Sequence, residues 1–245
     1  EDLGDALFAR VIPDQPALDM PLYEAATDVL LALHKAPPLD GLKPYDAEVM
    51  AEMAALAHRW YAGVDAGSFT AAFRALLAEH ITDLSVLIQR DYHAENLLWL
   101  PGRSGAARVG LLDFQDAMLG HPAYDLVSML QDARRDVPPA VEAAMVERYI
   151  TASGQPGEPF KAAYALLGVQ RNLRILGVFG RLSLHFNKPH YVDFIPRVLR
   201  DAGFIIHDPR NGFHGDASLA CNVHNSNAHD EFLGAIPPNR KLRKP

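Results

Sequence analysis

The chain has 245 residues, 49% of them apolar and 22% charged, with a mean hydropathy of −0.05, values that fit a soluble globular protein and exclude disordered, collagen-like and membrane-spanning classes. Its 23 Lys+Arg against 30 Asp+Glu give a net charge of −7 and a pI near 5.9, which argues against a surface built to coat nucleic acid. The single cysteine, Cys221, permits neither an internal disulfide nor a cysteine-held zinc, and no apolar run reaches the roughly 20 residues that a bilayer crossing needs, so a cytoplasmic protein is expected.

The chain opens on Glu1-Asp2-Leu3-Gly4-Asp5, without an initiator Met and without the charged and apolar regions of a signal peptide. Leu22, Ala25, Ala26, Val29, Leu30 and Leu33 then recur at helical spacing and predict a helix over 21–34, with Pro21 in its first turn and Pro37-Pro38 as its stop. Further helices are expected over 46–61 and 68–81, the second capped by Ser68. From Val86 the pattern becomes short and extended. Leu97-Leu98-Trp99-Leu100 and Val109-Gly110-Leu111-Leu112, separated by Pro101-Gly102-Arg103-Ser104-Gly105, predict a β-hairpin with a flexible loop.

The hairpin is flanked by the most informative residues of the chain. Before it stands Gln89-Arg90-Asp91-Tyr92-His93-Ala94-Glu95-Asn96, and after it Asp113-Phe114-Gln115-Asp116. Transfer of a phosphoryl group to a hydroxyl needs a carboxylate that orients the attacking oxygen and takes its proton, together with hard oxygen ligands that hold Mg²⁺ on the phosphates. Asp91 and Asn96, five residues apart, have the spacing of a kinase catalytic loop, in which the Asp is the base and the Asn a metal ligand. The hairpin would return the chain to that loop and deliver Asp113 as a second ligand. Taken singly, Asp and Asn in loops are turn formers or helix caps; the joint pattern is what points to chemistry. His93 is expected to hydrogen-bond within the loop, since imidazole is a poor ligand for Mg²⁺.

Helical periodicity resumes over 124–132, 139–153 and 158–176, the last ending near Gly177, and again over 191–202. Arg171, Arg174 and Arg181 share one face of the third of these or its continuation, where they could meet an anionic sugar group or form surface ion pairs. After residue 207 the period is lost. The segment 208–245, with scattered Asn, His, Gly and Pro and the closing Arg240-Lys241-Leu242-Arg243-Lys244-Pro245, is expected to be a polar tail.

Together with Gly120-His121-Pro122-Ala123-Tyr124-Asp125-Leu126, these motifs make the chain resemble the aminoglycoside phosphotransferase/choline kinase family. The segments around Asp91-Tyr92-His93, 97–103, 110–116 and 170–177 look most like its bacterial branch of anomeric N-acetylmuramate/N-acetylglucosamine kinases, although Gln89 stands where many members have His. The resemblance covers roughly residues 1–200. It implies an α+β, mainly α fold over 1–207, a protein-kinase-like catalytic lobe with a small β-hairpin. It further implies ATP and Mg²⁺ as cofactors, Asp91 as catalytic base, Asn96 and Asp113 as metal ligands, and Arg90, His93 and Asp125 as supporting residues, Asp125 bonding the catalytic loop. Asp125 could equally be an acid at a helix N-terminus.

No G-x-G-x-x-G and no strand-borne Lys precede Asp91, the first Lys being Lys35, so an upper, N-terminal lobe is expected to be missing. Glu1 and Leu3 would then lie in the hinge that meets the adenine. The expected substrate is a small molecule bearing a hydroxyl, an amino sugar first and an aminoglycoside second, with neither nucleic acid nor membrane as partner. The rival expectation is a truncated or degenerate pseudokinase module without catalysis.

Overall fold

The computed structural model describes residues 3–201, which form eight α-helices and four three-residue strands and are therefore α+β, mainly α, as expected. Glu1, the helix end expected at residue 202 and the tail expected over 208–245 lie outside the described residues. None of the described helices is long and apolar enough to cross a membrane. The chain divides into two packing units, the first built from residues 3–46 and 81–167 and the second from 47–80 and 168–201.

In the first unit, α1 (Phe8–Asp14) is followed by a 3₁₀ turn and by α2 (Asp19–Lys35). Leu22, Ala25, Ala26, Val29 and Leu30 bury one face of α2, and the backbone turns extended at Ala36 ahead of the two prolines. The predicted helix is thus present and only a little longer than its periodicity. The residues of α1 were not marked by any period. They are held instead by non-local bonds: Ala9 N–H donates to the Ala94 carbonyl at 3.0 Å, and Phe8 is wholly buried.

Strands come in two antiparallel pairs. β2 (Leu97–Trp99) and β3 (Val109–Leu111) form the expected hairpin, with Leu98 opposite Gly110. β1 (Val86–Ile88) pairs with β4 (Met118–Gly120), with Leu87 opposite Leu119, and Lys43 and Tyr45 bond to Leu119 along the other edge of β4. β4 has no periodic signal. It is made possible by Gly120, where a Cβ would stand 2.4 Å from Ile88 Cδ1. After it, α5 (Tyr124–Leu130) is buried along its whole length. α6 (Pro139–Ser153) begins on Pro139 and stops at Gly154 with φ +71°, matching the predicted bounds because both ends are written in residues that fix the backbone.

The second unit contains α3 (Ala47–Ala54), a π-helical turn at Ala57–Ala62, α4 (Gly67–His80) and, near its end, α8 (Ile195–Asp201) after a 3₁₀ turn at Pro189–Phe194. Where one helix was expected over 46–61, the α-helix stops at Ala54 and the π turn replaces its end. The helix expected over 191–202 likewise starts later, its first residues being 3₁₀. Ser68 is not the cap of α4, because the Gly67 N–H donates to Asp65 Oδ2 at 3.0 Å and Ser68 already lies inside the helix.

The largest correction concerns α7 (Gly157–Leu184), which supplies residues to both units and runs past Gly177 instead of ending there. A Cβ on Gly177 would lie 2.2 Å from the Leu56 carbonyl carbon, and one on Gly180 would lie 2.9 Å from the Trp60 carbonyl oxygen. These glycines are places of close backbone approach, not a stop signal.

Candidate functional site

Asp91 lies three residues beyond the end of β1, in a loop whose shape is set by backbone bonds. His93 N–H donates to the Asp91 carbonyl at 3.2 Å and Asn96 N–H to the His93 carbonyl at 2.8 Å. The Asn96 side-chain nitrogen donates to the Asp91 carbonyl at 2.9 Å, closing the loop across its five-residue span. With the amide nitrogen so engaged, the amide oxygen is the atom left to meet a cation. His93 and Tyr92 are buried, and the Tyr92 hydroxyl donates to the Ala26 carbonyl of α2 at 2.8 Å. Burial, with the Asp125 charge adding to it, pushes the Tyr92 phenol far above its ordinary range, so it remains a hydrogen-bond donor.

Asp125 grips the start of this loop. It is wholly buried in the first turn of α5, and its carboxylate accepts the Gln89 N–H at 2.6 Å and the Arg90 N–H at 2.9 Å. It sits in the first turn of α5, where the helix dipole favours an acid, and its bonds run to the backbone just before Asp91. Arg90 has φ +72°, a left-handed conformation unusual for a residue with a side chain, and the Ser128 hydroxyl donates to its carbonyl at 3.4 Å.

The hairpin delivers Asp113 to the same place. Leu112 N–H donates to the Asn96 carbonyl at 3.0 Å, so the residue before Asp113 is bonded to Asn96 itself. Asp113 is exposed, has φ +56° and accepts a hydrogen bond from the Gln115 side chain. Leu112 and Phe114 on either side of it are 39% and 61% exposed, an apolar rim to a polar site. Leu3 lies at the same hairpin, its Cδ1 3.1 Å from where a Cβ on Gly110 would be.

Asp91, Asn96, Asp113, Asp125, Arg90, His93 and Leu3 all belong to the first unit. The oxygen-donor set fits a hard cation such as Mg²⁺, which is commonly held by one or two side-chain oxygens while phosphates and waters complete its shell. Among the described residues there is no group of three or more His, Cys, Asp or Glu that could hold a metal ion. Tyr45 and Ser128, both bound to Arg90, carry no sequence signal for this site; their parts come from pairings across 45 and 38 residues.

The profile of the phosphotransferase enzyme family matches residues 3–164. Among curated relatives, a protein of Caulobacter vibrioides named N-acetylmuramate/N-acetylglucosamine kinase is 45% identical over 216 residues, covering 81% of this chain and 59% of that protein. Proteins of the same name from Pseudomonas putida and Neisseria meningitidis are 32% and 31% identical, each covering about four fifths of this chain and 60% and 63% of their own lengths. The chain thus spans about three fifths of the length of the curated relatives it matches.

Proposed function

The chain belongs to the phosphotransferase enzyme family, and from that membership we propose that it carries the catalytic-loop and metal-binding half of an ATP- and Mg²⁺-dependent kinase acting on a hydroxyl of an amino sugar of the N-acetylmuramate/N-acetylglucosamine type. In this reading residues 1–207 are a protein-kinase-like catalytic lobe, 208–245 its polar tail, and the compartment is the reducing cytoplasm that a single cysteine suits. Glu1 and Leu3 would border the adenine. The observation that carries the reading is the bond from Leu112 N–H to the Asn96 carbonyl, because it joins the Asp113 arm to the loop that begins at Asp91.

The chemistry follows from these positions. Asp91 accepts a hydrogen bond from the acceptor hydroxyl and takes its proton as the oxygen attacks the γ-phosphorus, while the bond from that phosphorus to the ADP oxygen breaks and ADP leaves. Asn96 and Asp113 would hold Mg²⁺, which when bound would neutralise the phosphate charge. Asp125, through the Gln89 and Arg90 amides, fixes where Asp91 starts. Gln115 keeps the Asp113 carboxylate turned toward its own loop.

The test is phosphorylation of N-acetylglucosamine and N-acetylmuramate by ATP with Mg²⁺, with aminoglycosides as competing acceptors, in wild type and Asp91→Asn. Transfer to the amino sugars that drops by roughly 10³-fold or more in the variant supports the reading, since the substitution removes the proton acceptor and changes little else. Transfer to aminoglycosides alone would replace the acceptor class. Absence of transfer to every acceptor would favour the noncatalytic module.

A further inference from the structure

Arg90 occupies a backbone conformation that glycine would adopt freely, immediately before Asp91. A side chain retained there has to give something in return, and its contacts show what. Arg90 Nη1 donates to the Asp116 carbonyl at 3.4 Å, three residues beyond Asp113, while the guanidinium carbon stands 5.3 Å from the centroid of the Tyr45 ring. The guanidinium therefore reaches from the Asp91 loop to the turn that carries Asp113. Its aromatic seat is itself fixed. Tyr45 is 1% exposed, and its N–H donates to the Leu119 carbonyl at 2.7 Å. Its ring meets the edge of Tyr124 at 5.0 Å, and the Tyr124 hydroxyl donates to its hydroxyl at 3.4 Å. Tyr124 adjoins Asp125, so one end of the support is continuous with the residue that grips the Arg90 amide.

We propose that Tyr45 is a positioning residue: by seating the Arg90 guanidinium it ties the Asp91 loop to the Asp113–Asp116 turn and so sets the distance between proton acceptor and metal ligand. A planar guanidinium can stack on a ring and bond a carbonyl at the same time, which an ammonium does poorly. This inference rests on the phosphotransfer reading for its consequence, although the mechanical tie itself does not.

Two measurements keep those apart. In hydrogen exchange with mass spectrometry, Arg90→Gly and Tyr45→Leu should speed exchange of the amides of 113–117, whereas Tyr45→Phe, which keeps the ring, should leave them as in wild type. In phosphorylation assays Arg90→Gly should raise the apparent KM for Mg²⁺ by roughly tenfold, a modest loosening of a catalytic arrangement, with the KM for the acceptor little changed. Its urea midpoint should stay level or rise, because glycine relieves the left-handed backbone. A role confined to stability predicts a lower midpoint with unaltered Mg²⁺ dependence. Unchanged exchange at 113–117 in both Arg90→Gly and Tyr45→Leu would overturn the tie. Wild-type protein that phosphorylates nothing would sink the kinase reading alone, since the exchange arm still decides on the pair.

Discussion

Two N–H groups point at the Asp125 carboxylate, and one of them belongs to a residue in a left-handed conformation. Replacing Asp125 with Ala leaves both donors without their acceptor in a buried setting, which costs about 1–3 kcal/mol for each. We expect Asp125→Ala to lower the urea midpoint and to suppress phosphoryl transfer together. Asp91→Asn, whose effect lies in proton acceptance, should suppress transfer with an unchanged midpoint. Equal loss of stability in both variants would contradict the division of labour between the two carboxylates. Asp91, Asn96 and Asp113 were candidates before any coordinates, because phosphoryl transfer asks for oxygen donors at such offsets, and Asp125 was a candidate through the family resemblance alone. Tyr45 and Ser128 were not. Each touches Arg90 across more than 35 residues, and nothing in the local composition of either segment reports it.

Helix pairs carry the other tests. Where α2 meets α6, the Tyr149 hydroxyl and His34 Nδ1 share a hydrogen bond at 2.6 Å, and Arg148 donates to both Asp28 carboxylate oxygens at 2.8–3.0 Å. Burial pushes His34 down to about 4 and pushes the Tyr149 phenol up; nearby His121 adds to the lowering of His34, while the Leu87 backbone and the Asp83 charge oppose it. A histidine held neutral in the fold, with an ordinary value of 6.5 when unfolded, binds its proton more readily in the unfolded chain between those two values. Stability should therefore be intact above pH 6.5 and fall by up to about 3 kcal/mol as the pH drops toward 4. His34→Gln should flatten that slope in urea titrations at pH 7.5 and 5; an unaltered slope would place the sensitivity elsewhere, His121 being the next candidate because burial lowers it too. Within the second unit, Gly177 sets a contest of magnitudes. Alanine would favour the helix by about 1 kcal/mol, but its methyl would lie 2.2 Å from the Leu56 backbone. Overpacking of that kind costs about 1–3 kcal/mol or more, so Gly177→Ala should be net destabilising. Gly157→Ala is the control, since its new atom meets only Ile150 at 3.9 Å and should be neutral or slightly stabilising. The same glycine explains why a helix end was expected at 177. Sequence marks glycine as a breaker, and only the neighbour packed against it shows that its smallness is the reason for it.

At the scale of the whole molecule, sequence periodicity located the long helices and the hairpin, since each is a local pattern on one face. It could not reveal the partition, in which 47–80 packs with 168–201 and leaves 81–167 with 3–46, because that depends on contacts between distant stretches. The partition makes a prediction about ligands. Asp91, Asn96 and Asp113 all lie in the first unit, so nucleotide with Mg²⁺ should slow hydrogen exchange at 89–97 and 110–117 ahead of any change in 47–80. A ligand bound only by the folded state at 100 times its Kd adds about 2.7 kcal/mol, enough to raise the melting temperature by several degrees. ATP with Mg²⁺ should give that rise, and ATP with EDTA should give much less of it. Asp113→Ala should abolish the Mg²⁺-dependent part, whereas Asp91→Ala should retain it, because Asp91 is assigned to the acceptor hydroxyl and not to the metal. If Asp91→Ala lost the Mg²⁺ effect while Asp113→Ala kept it, the roles of the two carboxylates would have to be exchanged.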